Sequence, residues 1–526
     1  MAISFLTSLL EHYSITAEDL RKRELPGSFS SLVFPNEDPY FQKMLARLKR
    51  AGYDKEKVVV YGDYDVDGLT STAIMVHALR GLGITPGYFI PSRFVEGYGL
   101  VSTRVDDFKA KGYHLIIAVD NGICADEAID HAHALGMEVL VIDHHDLPKK
   151  LPAADLIFHN LISNFVPYPI SAASLCFFLS VDLLEREDKY LETLAGIAVF
   201  SDVMPLVGNN LILAKLAYKN LNHEHYLNLD ALLGGGPYSY HDINFRLNPM
   251  LNSPGRIYPD PLATNRACRF LIEDENESVW KSLTPYLSGA NFRRKSLVSE
   301  TTLDPTMQPL VSEHCIAEVL SGNPGIAGIV AGHLSREKDI PVLVLAPDFK
   351  EPDTLIGSIR APAGYDFGPW IQKNSRLFIS AGGHPQACGL TIPRSAYLKV
   401  ATLFQTEAIG QYFNGSIKRP VTVPILLGDI TEENMEIFES FYPFGDGFEE
   451  PLFELHIPSD EFHLNARGNL YTATNSQLNR VVIFDPKNRL SIAERKIFTI
   501  FGTWERKAYM EKRYIQLFCM AENVLV

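Results

Sequence analysis

Three carboxylates stand on alternate residues in Asp63-Tyr64-Asp65-Val66-Asp67, directly after the apolar run Val58-Val59-Val60. An apolar β-branched run that breaks into acids reads as a buried strand whose end opens on a site. Carboxylates this crowded repel one another and raise each other's pKa unless a cation lies between them. A divalent metal is therefore the expected occupant. Two more apolar runs end the same way: Leu115-Ile116-Ile117-Ala118-Val119 leads into Asp120-Asn121-Gly122, and Val139-Leu140-Val141-Ile142 into Asp143-His144-His145-Asp146. A further acid, Asp202, follows the stretch Gly196 to Phe200. The donors are carboxylates with one or two imidazoles and no thiolate, a hard set that suits Mn2+ or Mg2+ rather than structural zinc. They are too many for one ion. Two ions about 3.5–4 Å apart, bridged by Asp120 and activating a water between them, would suit in-line attack at phosphorus.

For these groups to meet, the strands that carry them must end on one edge, as parallel strands of an open sheet do. Strands are expected near 58–62, 86–91, 114–120, 138–143 and 154–159, alternating with helical stretches such as Thr70 to Leu82 and Ala125 to Leu135. That is a doubly wound α/β pattern. The expected organisation is a helical lead-in over 1–50, the acid-bearing domain over 51–230, and a connecting segment over 231–290 with the Gly-rich turn Gly234-Gly235-Gly236-Pro237. A second α/β domain is expected over 291–412, with strands near 326–330, 341–346 and 387–392. Asn414-Gly415-Ser416 reads as a linker to an all-β, OB-like domain over 415–526 that includes Val481–Phe484 and Ile497–Phe501.

At 526 residues the chain is long enough for three or four domains. Its longest apolar stretch, Leu175 to Val181, is too short to span a bilayer, and Met1-Ala2-Ile3-Ser4 lacks the basic start of a signal peptide. The six cysteines contain no CxxC pair, which suggests reduced thiols and a cytoplasmic setting. A net charge of −15 argues against a nucleic-acid binder only if the charge is evenly spread. Residues 461–526 hold ten basic and six acidic side chains, with Arg467, Tyr471, Arg480, Phe484, Lys487, Arg489, Arg495, Lys496, Trp504, Arg506, Lys507, Tyr509, Lys512, Arg513 and Tyr514 interleaved. Phosphate neutralisation with base stacking is what single-strand binding needs. The plainer reading is a solvated β surface with its aromatics in the core. Arg293-Arg294-Lys295 likewise reads first as a solvated helix face.

The motifs Asp63-Tyr64-Asp65-Val66-Asp67-Gly68, Val119-Asp120-Asn121-Gly122, Asp143-His144-His145 and Asp202-Val203-Met204-Pro205-Leu206 resemble motifs I to IV of the DHH phosphoesterase superfamily. Pro249-Met250-Leu251-Asn252-Ser253-Pro254-Gly255-Arg256 is similar to an element of the RecJ family of single-strand-specific exonucleases. Gly357-Ser358-Ile359-Arg360 and Gly382-Gly383-His384-Pro385-Gln386-Ala387-Cys388-Gly389 resemble the DHHA1 domain, which would place that domain at 291–412 and the DHH domain at 51–230. Pro443-Phe444-Gly445 and Pro451-Leu452-Phe453 look like the start of the family's oligonucleotide-binding domain. The resemblance implies that Asp65, Asp67, Asp120, His144 and Asp202 ligate metal, with Asp63 and Asp143 beside them. It implies that Asp120, His144 and His145 act in catalysis, His145 on the scissile phosphate or the leaving group. Arg93, Arg256, Ser358 and Arg360 match positions that hold a 5′-terminal phosphate. Gly382, Gly383 and His384 would form a substrate-accepting loop, although Gly-Gly alone reads as a tight turn. Two departures bear on substrate contacts: Leu211 stands where the family usually has Arg, and Asn323-Pro324-Gly325 replaces the usual Trp-His.

The resemblance implies a monomeric, metal-dependent 5′→3′ exonuclease on single-stranded DNA in repair and recombination, with a single-strand-binding protein or a helicase as partner. Two other readings stay open here: a superfamily phosphodiesterase of short oligoribonucleotides or cyclic dinucleotides, and a non-catalytic replication scaffold. The length and the β-domain weigh against the first. The intact acid and histidine set weighs against the second.

Overall fold

A computed structural model describes residues 4–525 apart from 26, 98, 261, 363, 412–421, 486–489, 491–495 and 510–511. The chain divides into two compact units, one from Gly27 to Ser416 and one that joins Met1–Pro26 to Ile417–Val526. The expected lead-in over 1–50 is thus split, and its first part folds with the C-terminal residues. The expected linker Asn414-Gly415-Ser416 lies outside the described residues.

The larger unit opens with five parallel strands, β1 (Val58–Tyr61), β2 (Gly87–Phe89), β3 (Leu115–Val119), β4 (Glu138–Ile142) and β5 (Leu156–Phe158), in the order β2-β1-β3-β4-β5. Every residue of β1 and β3 is buried, because helices cover both faces. The chain leaves β1 for one side of the sheet and returns on the other, so the topological switch point lies between β1 and β3. The helix Val66–Gly81 is buried over nearly its whole length and packs against the helices Ala172–Leu184 and Lys189–Ser201. Two of its buried hydroxyls are satisfied by its own backbone: Thr70 donates to Val66 O and Thr72 to Gly68 O, both at 2.7 Å. At Gly68 a Cβ would lie 2.5 Å from the Asp63 backbone, so only glycine lets the acidic loop fold back on this helix.

Residues 231–290 are mostly helical rather than turn-rich, with a π-helical turn Ile243–Leu247 running into the helix Asn248–Ile257. The long helix Glu277–Ser299 follows. A second sheet is built from β6 (Leu310–Val311), β7 (Ile316–Val319), β8 (Val342–Pro347), β9 (Thr354–Arg360), β10 (Ser380–His384) and β11 (Ala387–Pro393), in the order β10-β11-β9-β8-β7-β6. The strand expected near 326–330 is instead the start of a helix, Ala327–Lys338. A short apolar run does not distinguish a strand from a buried helix. Here Ala327, Val330 and Ala331, at helical spacing, bury one face against the sheet.

The smaller unit holds the strand-rich residues. β12 (Thr422–Ile425), β13 (Leu452–Pro458), β14 (His463–Leu464), β15 (Leu470–Thr474), β16 (Arg480–Phe484), β17 (Ile497–Tyr509) and β18 (Lys512–Met520) form one sheet, and β19 (Val524–Leu525) pairs with β17. The plainer reading holds for its central aromatics. Trp504 and Tyr471 are buried, and Arg506 is tied to Glu432 and Glu439 rather than left open. Lys507 pairs with Glu505 at 2.8 Å. Arg480 lies over the Tyr514 ring, 4.4 Å from its centre. Lys487, Arg489 and Arg495 fall outside the described residues.

The N-terminal helix Phe5–Tyr13 completes this core. Phe5 stacks on Trp504 with ring centres 4.9 Å apart, and Tyr13 stacks on Phe448 at 4.1 Å. Phe5→Ala is expected to destabilise this unit by about 2–3 kcal/mol, the lower range for aromatic truncation against a core. Chemical denaturation followed by tryptophan fluorescence checks it, and an unchanged midpoint would mean that the helix only rests on the sheet.

Candidate active site

Four chain segments deliver the acids to the β1/β3 switch point. Asp63 and Asp65 follow β1, and Asp65 caps the helix Val66–Gly81 by accepting from Gly68 N at 3.1 Å. Asp67, one turn in, accepts from the amides of Ala172 and Ala173, each at 2.8 Å, at the start of another helix. Two buried amides at a helix N-terminus, which have no partner within the helix, thereby hold its carboxylate in one orientation. Asp120 follows β3 with its backbone in the left-handed region, φ 60°. Asp202 caps the helix Lys189–Ser201, and the next residue, Val203, is also left-handed at φ 52°. Met204 N closes the turn onto Val199 O at 2.9 Å. Glycine usually ends a helix this way. A β-branched residue there is strained by roughly 1–2 kcal/mol, a pattern found where the backbone must aim a functional group.

These groups form three overlapping sets, each within 4.8 Å: Asp63, Asp65 and Asp120; Asp67, His144 and Asp202; and Asp120, His144 and His145. His144 Nε2 lies 3.2 Å from Asp120, 3.4 Å from Asp202 and 3.5 Å from Asp67. Asp120 and His144 each belong to two sets, so they stand at the centre. Asp63 and Asp120 are buried, and one oxygen of each accepts no hydrogen bond. Burial, and then the charge of Asp65, pushes Asp63 well above the usual carboxylate range and Asp67 up to about 7. Burial and then Asp67 do the same to Asp120 and Asp202. Buried carboxylates that face one another across oxygen-rich sets fit divalent cations, which supply the missing positive charge.

Asp143 has a different task. Its carboxylate accepts from Ile123 N at 3.0 Å, His144 N at 2.8 Å and His145 Nδ1 at 2.7 Å. Burial opposes its ionisation, but these bonds and the charge of His145 hold it well below the usual range. In return, although burial disfavours a charged ring, Asp143 keeps His145 up at about 9. This pairing favours the charged form of His145, held at the rim of the acid cluster. His159 steadies the loop by donating from Nε2 to His145 O at 2.8 Å.

Facing the acids is a group of guanidiniums. Arg93 lies over the Tyr64 ring, 5.2 Å from its centre. Burial, and then Arg93, pulls Arg256 down to about 10, and burial also lowers Arg360. Arg256 sits in the last turn of Asn248–Ile257, and Ser358 and Arg360 on β9. A Cβ on Gly328 would lie 3.0 Å from Ser358 Oγ and 3.1 Å from Arg360 Nη2, which places these two side chains together. Gly325 approaches Arg256 so closely that a Cβ would meet its carbonyl oxygen at 1.7 Å. The departure at Asn323-Pro324-Gly325 thus has a structural use, and Asn323 also donates to Ile257 O at 2.9 Å. Leu211 packs on the large core, while its neighbour Asn210 donates to Pro169 O and Pro205 O. Gly382 and Gly383 lie exposed on the edge strand β10, whose partner β11 pairs with β9. The His384 side chain lies outside the described residues. Sequence reasoning missed the amides of Ala172 and Ala173 and the Tyr64–Arg93 pairing, and Arg294, read first as part of a solvated helix face, is half-buried while Arg293 and Lys295 are exposed. Only the capping serine Ser171, ahead of an apolar helix, signalled the first of these.

An acid cluster at the switch point of a parallel sheet, facing guanidiniums drawn from the first lobe, the connecting helix and the second α/β lobe, is an arrangement suited to metal-dependent chemistry on phosphoesters. Residues 57–199 match the DHH family N-terminal domain and residues 313–410 the DHHA1 domain. These two stretches are thus similar to the two domains of the DHH/DHHA1 phosphoesterases. It is 29% identical to the single-stranded-DNA-specific exonuclease RecJ of Bacillus subtilis, a match covering 84% of this chain and 58% of that one. It is 28% identical to the Escherichia coli RecJ, covering 79% of this chain and 78% of that one. A crystal structure of Thermus thermophilus RecJ with Mn2+ superposes with a TM-score of 0.78 at 22% identity, covering 98% of this chain and 75% of that one. A second structure, exonuclease RecJ bound to manganese, gives 0.59 at 26% identity over 72% of this chain and 96% of that one. Among the described residues no helix is long and apolar enough to cross a membrane, and all six cysteines are free.

The crowded acids make metal-free stability depend on pH. Asp67 titrates near 3.8 when unfolded and at about 7 when folded. Such a carboxyl favours the folded state while protonated. Its contribution is complete below the unfolded value and is lost as pH rises through the folded one. Asp63, Asp120 and Asp202 act in the same direction. The metal-free melting temperature should therefore fall between about pH 5 and pH 8, and saturating Mn2+ should restore it. Asp120→Asn should raise the metal-free melting temperature at pH 8 and shrink the gain from Mn2+. A flat metal-free profile would show that the acids do not repel as their positions imply.

Proposed function

We propose that this chain is a 5′→3′ exonuclease that hydrolyses single-stranded DNA with two Mn2+ or Mg2+ ions, in repair and recombination. One observation carries the reading: within a single compact unit, a carboxylate–imidazole cluster faces a group of guanidiniums with which, among the described residues, no carboxylate forms a salt bridge. The first suits cations. The second suits a terminal phosphate monoester, which carries more charge than an internal diester.

In this reading Asp63, Asp65, Asp67, Asp120, His144 and Asp202 hold the ions. When bound, the ions polarise the phosphoryl oxygens and activate the attacking water. Arg93, Arg256, Ser358 and Arg360 grip the 5′-terminal phosphate and so fix which phosphodiester reaches the acids. Arg256, half-buried and flanked by like charge, gains when an anion arrives. His145, kept charged by Asp143, stands where it can stabilise the scissile phosphate or give a proton to the leaving 3′ oxygen. The smaller unit would hold the rest of the strand, with Arg480 and Tyr514 as one exposed basic–aromatic pair.

End-labelled single strands, duplexes and cyclic dinucleotides, each digested with Mn2+, test the reading. Single strands should be consumed from the 5′ end, with 5′-phosphate preferred over 5′-hydroxyl. Arg360→Ala should cost about 1–3 kcal/mol in binding, the range for hydrogen bonds to charged groups, and should shrink the 5′-phosphate preference. Digestion from the 3′ end, or equal use of both 5′ ends by the wild type, would remove the clamp from the mechanism. Faster turnover of the cyclic substrate would favour a small-molecule phosphodiesterase.

A further inference from the structure

The residues at 244, 248, 252 and 256 recur every fourth position along the π turn and the helix that follows it, and all four line one cavity of about 320 Å3. They read Asn244, Asn248, Asn252, Arg256. Positions four apart share a helix face, so three carboxamides form a row that leads away from the guanidinium at its end. Arg294, from the helix Glu277–Ser299, and Arg360, from β9, supply the facing wall. No carboxylate lines this cavity. Gly328 also lines it, and Ser358 and Arg360 both crowd against Gly328, so the cavity adjoins the group assigned above to the terminal phosphate.

Two features point to a ligand here. Asn248 is only 5% exposed, and its carboxamide oxygen accepts no hydrogen bond. A buried polar group without a partner is costly; the oxygen is sealed from the space, so it is the amide N–H groups that Asn248 can present to the cavity it lines. Arg294 is half-buried and held in place by Asn291 Oδ1 at 2.9 Å and Ser253 Oγ at 3.2 Å, both neutral partners. Its charge is uncompensated, and three of its five N–H donors remain available. The space would hold about ten waters at roughly 30 Å3 each, more than one tetrahedral phosphate requires. A single terminal phosphate is already matched by Arg93, Arg256 and Arg360.

We propose that this chamber receives the outer phosphates of a 5′-polyphosphate, so that the protein digests single strands bearing a 5′-triphosphate, the end left by primer-independent synthesis. The proposal rests on the exonuclease reading above. The α-phosphate keeps the place of the monophosphate, while the outer phosphates meet Arg294 and the carboxamide row. The same bond is then cut. Water adds its oxygen to the first internal phosphorus, the P–O3′ bond breaks, and the proton goes to O3′. The products are a nucleoside 5′-triphosphate and a shortened strand with a 5′-phosphate.

The test compares otherwise identical strands ending in 5′-hydroxyl, 5′-monophosphate and 5′-triphosphate, with the first product identified by chromatography. The wild type should release intact nucleoside triphosphate and should use the triphosphate end about tenfold better than the monophosphate end, the size of one charge-assisted contact. In Arg294→Gln the ratio of the two should fall to about one, and Arg294→Lys should recover part of it. The ratio is internal to each protein, so a general loss of fold or activity cannot mimic the change. Free nucleoside triphosphate should compete with the triphosphate strand in the wild type and less so in Arg294→Gln. If free nucleotide binds but the triphosphate strand is not cut, the chamber is a nucleotide site and the proposal fails. A triphosphate end that is refused, or a ratio that ignores Arg294, also overturns it. If the monophosphate strand is not digested either, it is the exonuclease reading that has failed.

Discussion

Mutual repulsion among buried carboxylates is the constraint around which the larger unit is built. Asp63, Asp67, Asp120 and Asp202 are held close in a dry setting where each disfavours the ionisation of the others. Left to relax, such a loop would turn its acids to water. The fold prevents this in several ways. Backbone amides grip Asp67, a tight approach at Gly68 pins the Asp63 loop, and left-handed residues aim Asp120 and Asp202. The rigidity comes from the parallel sheet and the buried helix behind it. The chemistry comes from what the sheet will not let relax.

Asp143 shows how the same residue type can be given the opposite character nearby. It is as buried as Asp120, yet three amide and ring donors converge on it and a charged imidazole faces it. Its pKa goes down where those of the cluster go up. The consequence is a division of labour set by hydrogen-bond donors rather than by residue identity. Asp63 and Asp120, each with a buried oxygen that accepts no hydrogen bond, are left to meet positive charge from elsewhere. The one with donors fixes the charge and direction of His145.

Much of this was legible because strand ends announce themselves. Apolar runs that break into acids at 63, 120 and 143 locate three of the four segments, and the parallel sheet order explains why they meet. Asp202 was harder, since it ends a helix and lacks the strand signal. The amides on Asp67 come from residues more than a hundred positions away, and no local pattern encodes such a contact. Residues 326–330 misled because an apolar run with flanking glycines fits a strand and a buried helix equally well. The C-terminal aromatics misled in a different way. Spacing shows that Trp504 and Tyr471 share strands with basic residues, but whether a ring faces core or solvent depends on which partner covers it. For Trp504 that cover includes a helix from the far end of the chain.

The two charge clusters pose a question that neither answers alone. Acids and guanidiniums lie within one unit, close enough for Asp65 to act on Arg256 and Asp63 on Arg93, yet they do not collapse into salt bridges. Collapse would satisfy both and leave nothing to bind. Tyr64, between Asp63 and Asp65 in sequence, gives Arg93 the face of a ring instead of a carboxylate. The Gly325 turn and the end of β9 hold Arg256 and Arg360 on the far side. A gap kept open between opposite charges attracts a ligand that is anionic at one end and binds cations at the other. A nucleic-acid strand end offers both, with a phosphate monoester for the guanidiniums and the next phosphodiester for the metal-holding acids. In the proposed reading the separation of the clusters would serve as a ruler, admitting the phosphodiester that lies one nucleotide in from the held end, and the polarity of digestion would follow from which end carries the monoester.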